Sequence, residues 1–252
     1  MALFGLFGNS ENLYFPGCFS SALLEKKVEN YKRILKKLGI SFTTEKDFMC
    51  CGGFFDESGY EKQLRKTAKQ NQDFISGKKF RKIITNCPLC YSTFKNYKEI
   101  IPDWSTEVEF ILITILKKLQ ENQSYVRSFS SEPIAYYDSC SLGRYSEIHS
   151  PPREILSLLG LKVMELPKNS EETLCCGSCG NLPKTNKELS DSIARSFIRM
   201  LLRKNIKKVV TADARAYSHL AENLIKMQVD EKTLELLEFS DVLCSAMNLK
   251  QE

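Results

Sequence analysis

Two stretches of this chain, set about 125 residues apart, carry the same pattern. A duplication of that kind limits the fold more than any other feature. Arg33-Ile34-Leu35-Lys36-Lys37-Leu38-Gly39-Ile40 matches Glu154-Ile155-Leu156-Ser157-Leu158-Leu159-Gly160-Leu161. Cys50-Cys51-Gly52 matches Cys175-Cys176-Gly177, Ile83-Ile84-Thr85-Asn86 matches Val209-Val210-Thr211-Ala212, and Tyr91-Ser92 matches Tyr217-Ser218. The offsets are 121, 125, 126 and 126, so order and spacing are both kept.

Each copy reads as alternating strands and helices. In the first, residues 13–15 predict a strand. Residues 23–38 predict a helix, with Leu24, Val28, Tyr31, Leu35 and Leu38 at helical spacing, and Gly39 ends it. Residues 40–43 predict a strand, 60–75 a helix and 82–85 a strand. The second copy repeats the order at residues 134–137, 152–159, 162–165, 189–202 and 208–211. This succession predicts an α/β fold of two parallel-sheet, Rossmann-like halves. The boundaries fall at residues 1–123 and 133–252, with the Ser-rich stretch 124–132 as linker. Residues 1–10, with Leu3, Phe4, Leu6 and Phe7, read as an arm folded on the domain, with a membrane-surface contact as the alternative, though the segment is too short for stable anchoring alone.

Ligands of parallel sheets sit beyond the carboxyl ends of the strands. Cys18, Cys50, Cys51, Cys87 and Cys90 all follow predicted strands, so five sulfurs from three distant segments should converge on one sheet edge. Thiolate is a soft ligand for zinc, cuprous ion and iron–sulfur clusters. Zinc is satisfied by four ligands, so five thiols, two of them adjacent, lean toward a cluster more extended than a cubane. Zinc in a binding or scaffold module stays open as the alternative. Cys87-Pro88-Leu89-Cys90 also imitates a thioredoxin-like dithiol, a reading that leaves Cys18, Cys50 and Cys51 unexplained.

Cys18, 31 residues, Cys50-Cys51-Gly52, 34 residues and Cys87-x-x-Cys90 together resemble the cysteine-rich CCG domain. That domain occurs, often duplicated, in the disulfide-cleaving subunit of heterodisulfide reductase. It also occurs in iron–sulfur subunits of glycolate oxidase, lactate-utilisation and anaerobic glycerol-3-phosphate dehydrogenase complexes. Tyr14-Phe15-Pro16-Gly17-Cys18 looks like the family's opening strand and turn. The resemblance implies two CCG halves related by a pseudo-two-fold axis, and a non-cubane [4Fe-4S] cluster on the first five cysteines. It further implies an electron-transfer or disulfide-reducing subunit of an oxidoreductase complex. A flavoprotein or ferredoxin-type partner would feed it, and a disulfide, a quinone or a hydroxy-acid pathway would lie at the other end.

The second half departs from the pattern. Cys140, 34 residues and Cys175-Cys176-Gly177 are intact, but 35 residues later the family's CxxC reads Asp213-Ala214-Arg215-Ala216. The candidate ligands of a second site are Cys140, Cys175, Cys176, Cys179 and Asp213. An altered cluster, a zinc ion and an empty remnant are all compatible with that set. Arg144 is a candidate anion contact near the first site, while Cys244, His149, His219 and Trp104 read as packing or capping residues.

Composition narrows the classes. The chain has 252 residues, 42 % of them apolar, and a net charge of +5. The charge is spread out, without the basic stripe and interleaved aromatics of a nucleic-acid binder. The apolar run at residues 110–116 is far short of the ~20 residues that span a bilayer. No signal-peptide pattern opens the sequence, so the ten cysteines point to metal or redox chemistry in the cytoplasm. There is no glycine-rich nucleotide fingerprint, so a flavin would belong to a partner.

Overall fold

The computed structural model of the chain describes residues 10–45, 47–125 and 133–249. The first half runs β1 (Asn12–Tyr14), α1 (Cys18–Leu23), α2 (Glu25–Lys37), α3 (Gly53–Glu57), α4 (Glu61–Lys78), β2 (Lys82–Thr85), α5 (Pro88–Ile100), β3 (Glu107–Phe110) and α6 (Ile111–Glu121). The second runs β4 (Ile134–Tyr136), α7 (Cys140–Gly143), α8 (Ser150–Leu158), β5 (Val163–Glu165), α9 (Leu182–Thr185), α10 (Lys187–Arg203), β6 (Lys208–Thr211), α11 (Ala214–Lys226), β7 (Glu235–Glu238) and α12 (Phe239–Ala246).

All strand pairs are parallel. The second sheet has the order β5-β4-β6-β7 and the first β1-β2-β3. The strand expected at residues 40–43 is reduced to one bridge on the far side of β1. The Thr43 N–H donates to the Asn12 carbonyl at 2.9 Å, and the Tyr14 N–H to the Thr43 carbonyl at 2.8 Å. The chain then turns away toward Cys50 and Cys51. With that bridge counted, both sheets have one order, and in both the direction of winding reverses between the first strand and its neighbour, β1 and β2 or β4 and β6.

The helix expected over 23–38 starts earlier and is broken at Leu24, whose φ of −134° and ψ of 46° separate α1 from α2. The break lets α1 begin at Cys18 on the strand end while α2 lies along the sheet. Strands β3 and β7 carry no apolar run, and the sequence pattern does not reveal them. Most of the 124–132 linker and the 1–10 arm lie outside the described residues.

Successive strand residues face opposite ways, and each sheet uses both faces. Tyr14, Ile84 and Phe110 on one sheet and Tyr136 and Val210 on the other point into a single shared core. Their neighbours Leu13 and Ile83 enter an outer core of the first half. Ala135 and Val209 enter an outer core of the second. The shared core is closed by an exchange of helices. α12 packs on α2, and α6 packs on α8. Since α2 corresponds to α8 and α6 to α12, the same pair of surfaces meets twice.

The α2–α12 seam also carries polar contacts. Asp241 accepts from Lys27 Nζ at 2.5 Å and from Asn30 Nδ2 at 3.0 Å, and Tyr31 donates to Glu238 at 2.9 Å. Burial pushes the Glu238 carboxyl up to about 7, against hydrogen bonds from Ser240 and Tyr31 that favour its ionised form. The folded chain therefore holds a proton that the unfolded chain, with its ordinary carboxyl pKa near 4.5, gives up. Unfolding releases it, so stability declines as pH rises from about 4.5 to about 7. We expect Tm to fall across that window and the Glu238→Gln variant to show a flatter profile in thermal melts. An unchanged slope in the variant would assign the proton to another group.

Candidate metal centre

The reversal of winding leaves a crevice beyond the strand ends, and the first-half cysteines surround it. Cys18 opens α1 directly after β1 and the Pro16-Gly17 turn. Cys87 caps α5 directly after β2, with Pro88 at the first helical position, where its missing N–H costs nothing. Cys90 lies in the first turn of the same helix. Cys50 and Cys51 arrive on the loop before α3. Cys18 and Cys50 sulfurs are 3.7 Å apart, and Cys51 and Cys90 sulfurs 3.3 Å. All five thiols line one cavity of about 520 Å³.

The loop is held from behind. Asn71 Nδ2 donates to the Cys50 carbonyl at 3.1 Å and Tyr97 Oη to the Cys51 carbonyl at 2.7 Å, with 2.9 Å between the two side chains. The Gly53 N–H donates to Cys51 Sγ at 3.4 Å. Hydrogen bonds from Cys50 and Cys90 pull the Cys51 thiol down to about 5. Cys87 is lowered by its bond with Cys90, and the Arg215 charge adds to that. Cys90 and Cys18 are raised by their sulfur neighbours and by burial.

An iron–sulfur group suits this cradle. The donors are soft, they converge from three segments, and the backbone is kept out of their way. A Cβ at Gly17 would stand 2.9 Å from Cys87 Cβ and 3.2 Å from Cys90 Sγ. The φ of +84° there also belongs to glycine.

The second half gathers a different set. Cys140, Cys175 and Cys179 sulfurs lie within 4.8 Å of one another. Cys176, the counterpart of Cys51, turns into the outer core beside Tyr137 and Ala216 and donates to Ser178 Oγ at 3.3 Å. Ala216 stands where Cys90 does, so no sulfur draws Cys176 outward. Asp213, the counterpart of Cys87, is buried and caps α11, accepting from the Arg215 N–H at 3.0 Å. Aspartate is among the best N-caps, and the side chain serves the helix in that role.

The second half completes the wall of the first half's site. Arg215 stands in the repeat where the first half has Leu89, and it reaches across to the wall of the first-half cavity. There it pairs with Glu57 through both guanidinium Nη atoms, at 3.1 and 3.2 Å. Ser178 and Lys184 line the same cavity. Hydrogen bonds from Cys140 and Cys179 lower the Cys175 thiol, and the Arg144 charge adds to that. Sequence reasoning passes over Glu57, Asn71 and Tyr97. The only signal for Arg215 is its place in the broken CxxC.

The remaining candidates are structural. His219 contacts Ser190 Oγ at 3.1 Å, and Ser190 in turn donates to the Gly177 carbonyl at 2.8 Å. His149 meets the Gly143 carbonyl at 2.7 Å, Trp104 stacks on Phe94, and Cys244 is buried in the shared core.

The Gly17 contact has a direct test. Gly17→Ala forces both a left-handed alanine and a clash with Cys87, and overpacking of that kind costs ~1–3 kcal/mol. We expect a lower urea midpoint and a weakened metal complement, read by iron analysis of the same preparation. An unaltered midpoint would mean that the turn has slack.

The profile of the cysteine-rich CCG domain matches residues 12–95 and again residues 134–221. A subunit of the dihydromethanophenazine:CoB–CoM heterodisulfide reductase from Methanosarcina acetivorans is 28 % identical over 206 residues, covering 77 % of this chain and 49 % of that protein. EtfAB:quinone oxidoreductase from Syntrophomonas wolfei is 28 % identical over 250 residues, covering 94 % of this chain and 34 % of its own. The chain thus spans less than half the length of either relative. A crystal structure of a hypothetical protein from Helicobacter pylori shares the fold, with a TM-score of 0.66 and 11 % identity, over 97 % of this chain and 50 % of that one. With two matched copies that take up more than half of its residues, the chain belongs to the cysteine-rich CCG domain family.

Proposed function

We propose that this chain is an iron–sulfur redox module, with its cluster on Cys18, Cys50, Cys51, Cys87 and Cys90. The observation that carries this reading is the convergence of those five thiols on one cavity. Relatives named as a heterodisulfide reductase subunit and a quinone oxidoreductase support an electron-transfer role. Five thiols, two of them adjacent, exceed the four corners of a cubane, which favours a non-cubane [4Fe-4S] cluster. A zinc-stabilised scaffold would need only four thiolates and leave the fifth without a purpose. The proposed partners are a flavoprotein or ferredoxin-type donor and a disulfide or quinone acceptor, and the proposed compartment is the cytoplasm, where thiols stay reduced. No helix among the described residues is long and apolar enough to cross a membrane.

The cluster, when bound, supplies one-electron chemistry. The chain's own residues set its surroundings. Leu23 and Phe54, 63 % and 42 % exposed, form an apolar rim on the cavity. Arg215 and Lys184 supply positive charge for an anionic group. Glu57 holds the Arg215 guanidinium in place and offsets part of its charge.

Two experiments follow from this arrangement. Anaerobically prepared protein should contain iron and acid-labile sulfide, and Cys51→Ser and Cys87→Ser should each lose most of both. Full retention of iron in both variants would remove the assignment. Arg215→Gln withdraws a positive charge and should lower the midpoint potential, whereas Glu57→Gln unmasks that charge and should raise it. Redox titration followed by electron paramagnetic resonance reads both. Shifts of the same sign in the two variants would argue against an electrostatic role for the pair.

A further inference from the structure

We infer that the second half holds a metal site of its own kind: one soft divalent ion of the zinc type on Cys140, Cys175 and Cys179, its fourth position open to a cavity between the halves. This inference stands independently of the first-half cluster. The three sulfurs come from separate places, the start of α7 and two points of the CCG loop, yet they form a compact group.

A tetrahedral ion with metal–sulfur bonds of ~2.3 Å sets its sulfurs ~3.8 Å apart. Cys140 and Cys175 sulfurs are 3.9 Å apart and Cys175 and Cys179 sulfurs 3.5 Å. Only the Cys140–Cys179 pair, at 2.8 Å, must open, by the rotation of one half-exposed side chain.

The family's cluster does not fit this half. Ala216 offers no donor, Asp213 is engaged as a helix cap, and Cys176 has Ser178 Oγ at 3.3 Å where Cys51 has the Cys90 sulfur. Three thiolates on a divalent ion leave one net negative charge. Arg144 offsets it near Cys175, and the Gly177 N–H donates to Cys175 Sγ at 3.3 Å. Cys179 also lines a cavity of about 490 Å³ with Ser141, Tyr145 and Lys95. Water from that cavity completes the coordination, the arrangement of a zinc site that keeps an exchangeable position. Binding expels the thiol protons that remain.

The test uses the full chain, prepared anaerobically with its iron and then given zinc or cobalt. One equivalent of zinc should bind beyond the iron. X-ray absorption should show three sulfurs and one lighter atom, and cobalt should give the spectrum of a tetrahedral thiolate site. Cys175→Ser and Cys179→Ser should weaken zinc by more than the ~10–100-fold typical of losing an outer-shell partner, with iron unchanged. Cys176→Ser should keep both metals. Cys51→Ser should lose iron and keep zinc, so that the two sites can fail separately. In the unsubstituted chain, a chelator should extract zinc and leave iron. The inference is overturned if no zinc binds, if zinc survives Cys179→Ser, if iron falls with Cys179→Ser, or if Cys140 and Cys179 form a disulfide that excludes metal under reducing conditions.

Discussion

The alternation of side chains along the short parallel strands governs the architecture. Each of β1, β2, β4 and β6 gives one residue to the shared core and the next to the outer core of its own half. Parallel sheets are stable when both faces are covered, and here the two coverings have different tasks. The shared side joins the halves through apolar helices. The outer side includes the cysteines, so Cys51, Cys87 and Cys90 pack with Phe15, Phe48 and Phe94 as well as facing the cavity. Packing and ligand geometry are therefore set by the same contacts.

Much of this was legible in the sequence wherever apolar content and periodicity coincided. β1, β2, β4 and β6 are central strands buried on both faces, and such strands read as short apolar runs. β3 and β7 lie at sheet edges, where charge is favoured because it discourages further pairing. Glu109 in β3 is nonetheless buried, held by Lys82, Lys117 and Thr114. No linear pattern shows a carboxylate whose cations come from another strand and the next helix. The cysteine convergence was legible because strand-end placement follows from the α/β order. The surroundings of Cys176 were not, since Ala216 packs in the same core and Ser178 takes the place of a sulfur neighbour.

The repeat has diverged by local exchange of roles. Cys87 and Asp213 both stand at the N-cap of a helix that begins at a strand end, each with an extended backbone. Replacing sulfur by carboxylate there improves the cap and removes a soft ligand. Arg215 then carries the second half's influence to the first site. The family's ligand segment has become, in this half, part of the wall around its sister's cavity.

The exchange of helices across the shared core has a consequence for synthesis. Tyr31 on α2 meets Glu238, the cap of α12, across 207 residues of sequence. At ~5–20 residues per second, that separation amounts to tens of seconds on the ribosome. Throughout that interval the apolar stripe of Val28, Tyr31, Ile34 and Leu35 lacks its covering helix. The nascent first half is thus a sticky intermediate whose burial waits for the last helix of the second, and chains released early carry that stripe bare to whatever chaperone or protease meets them.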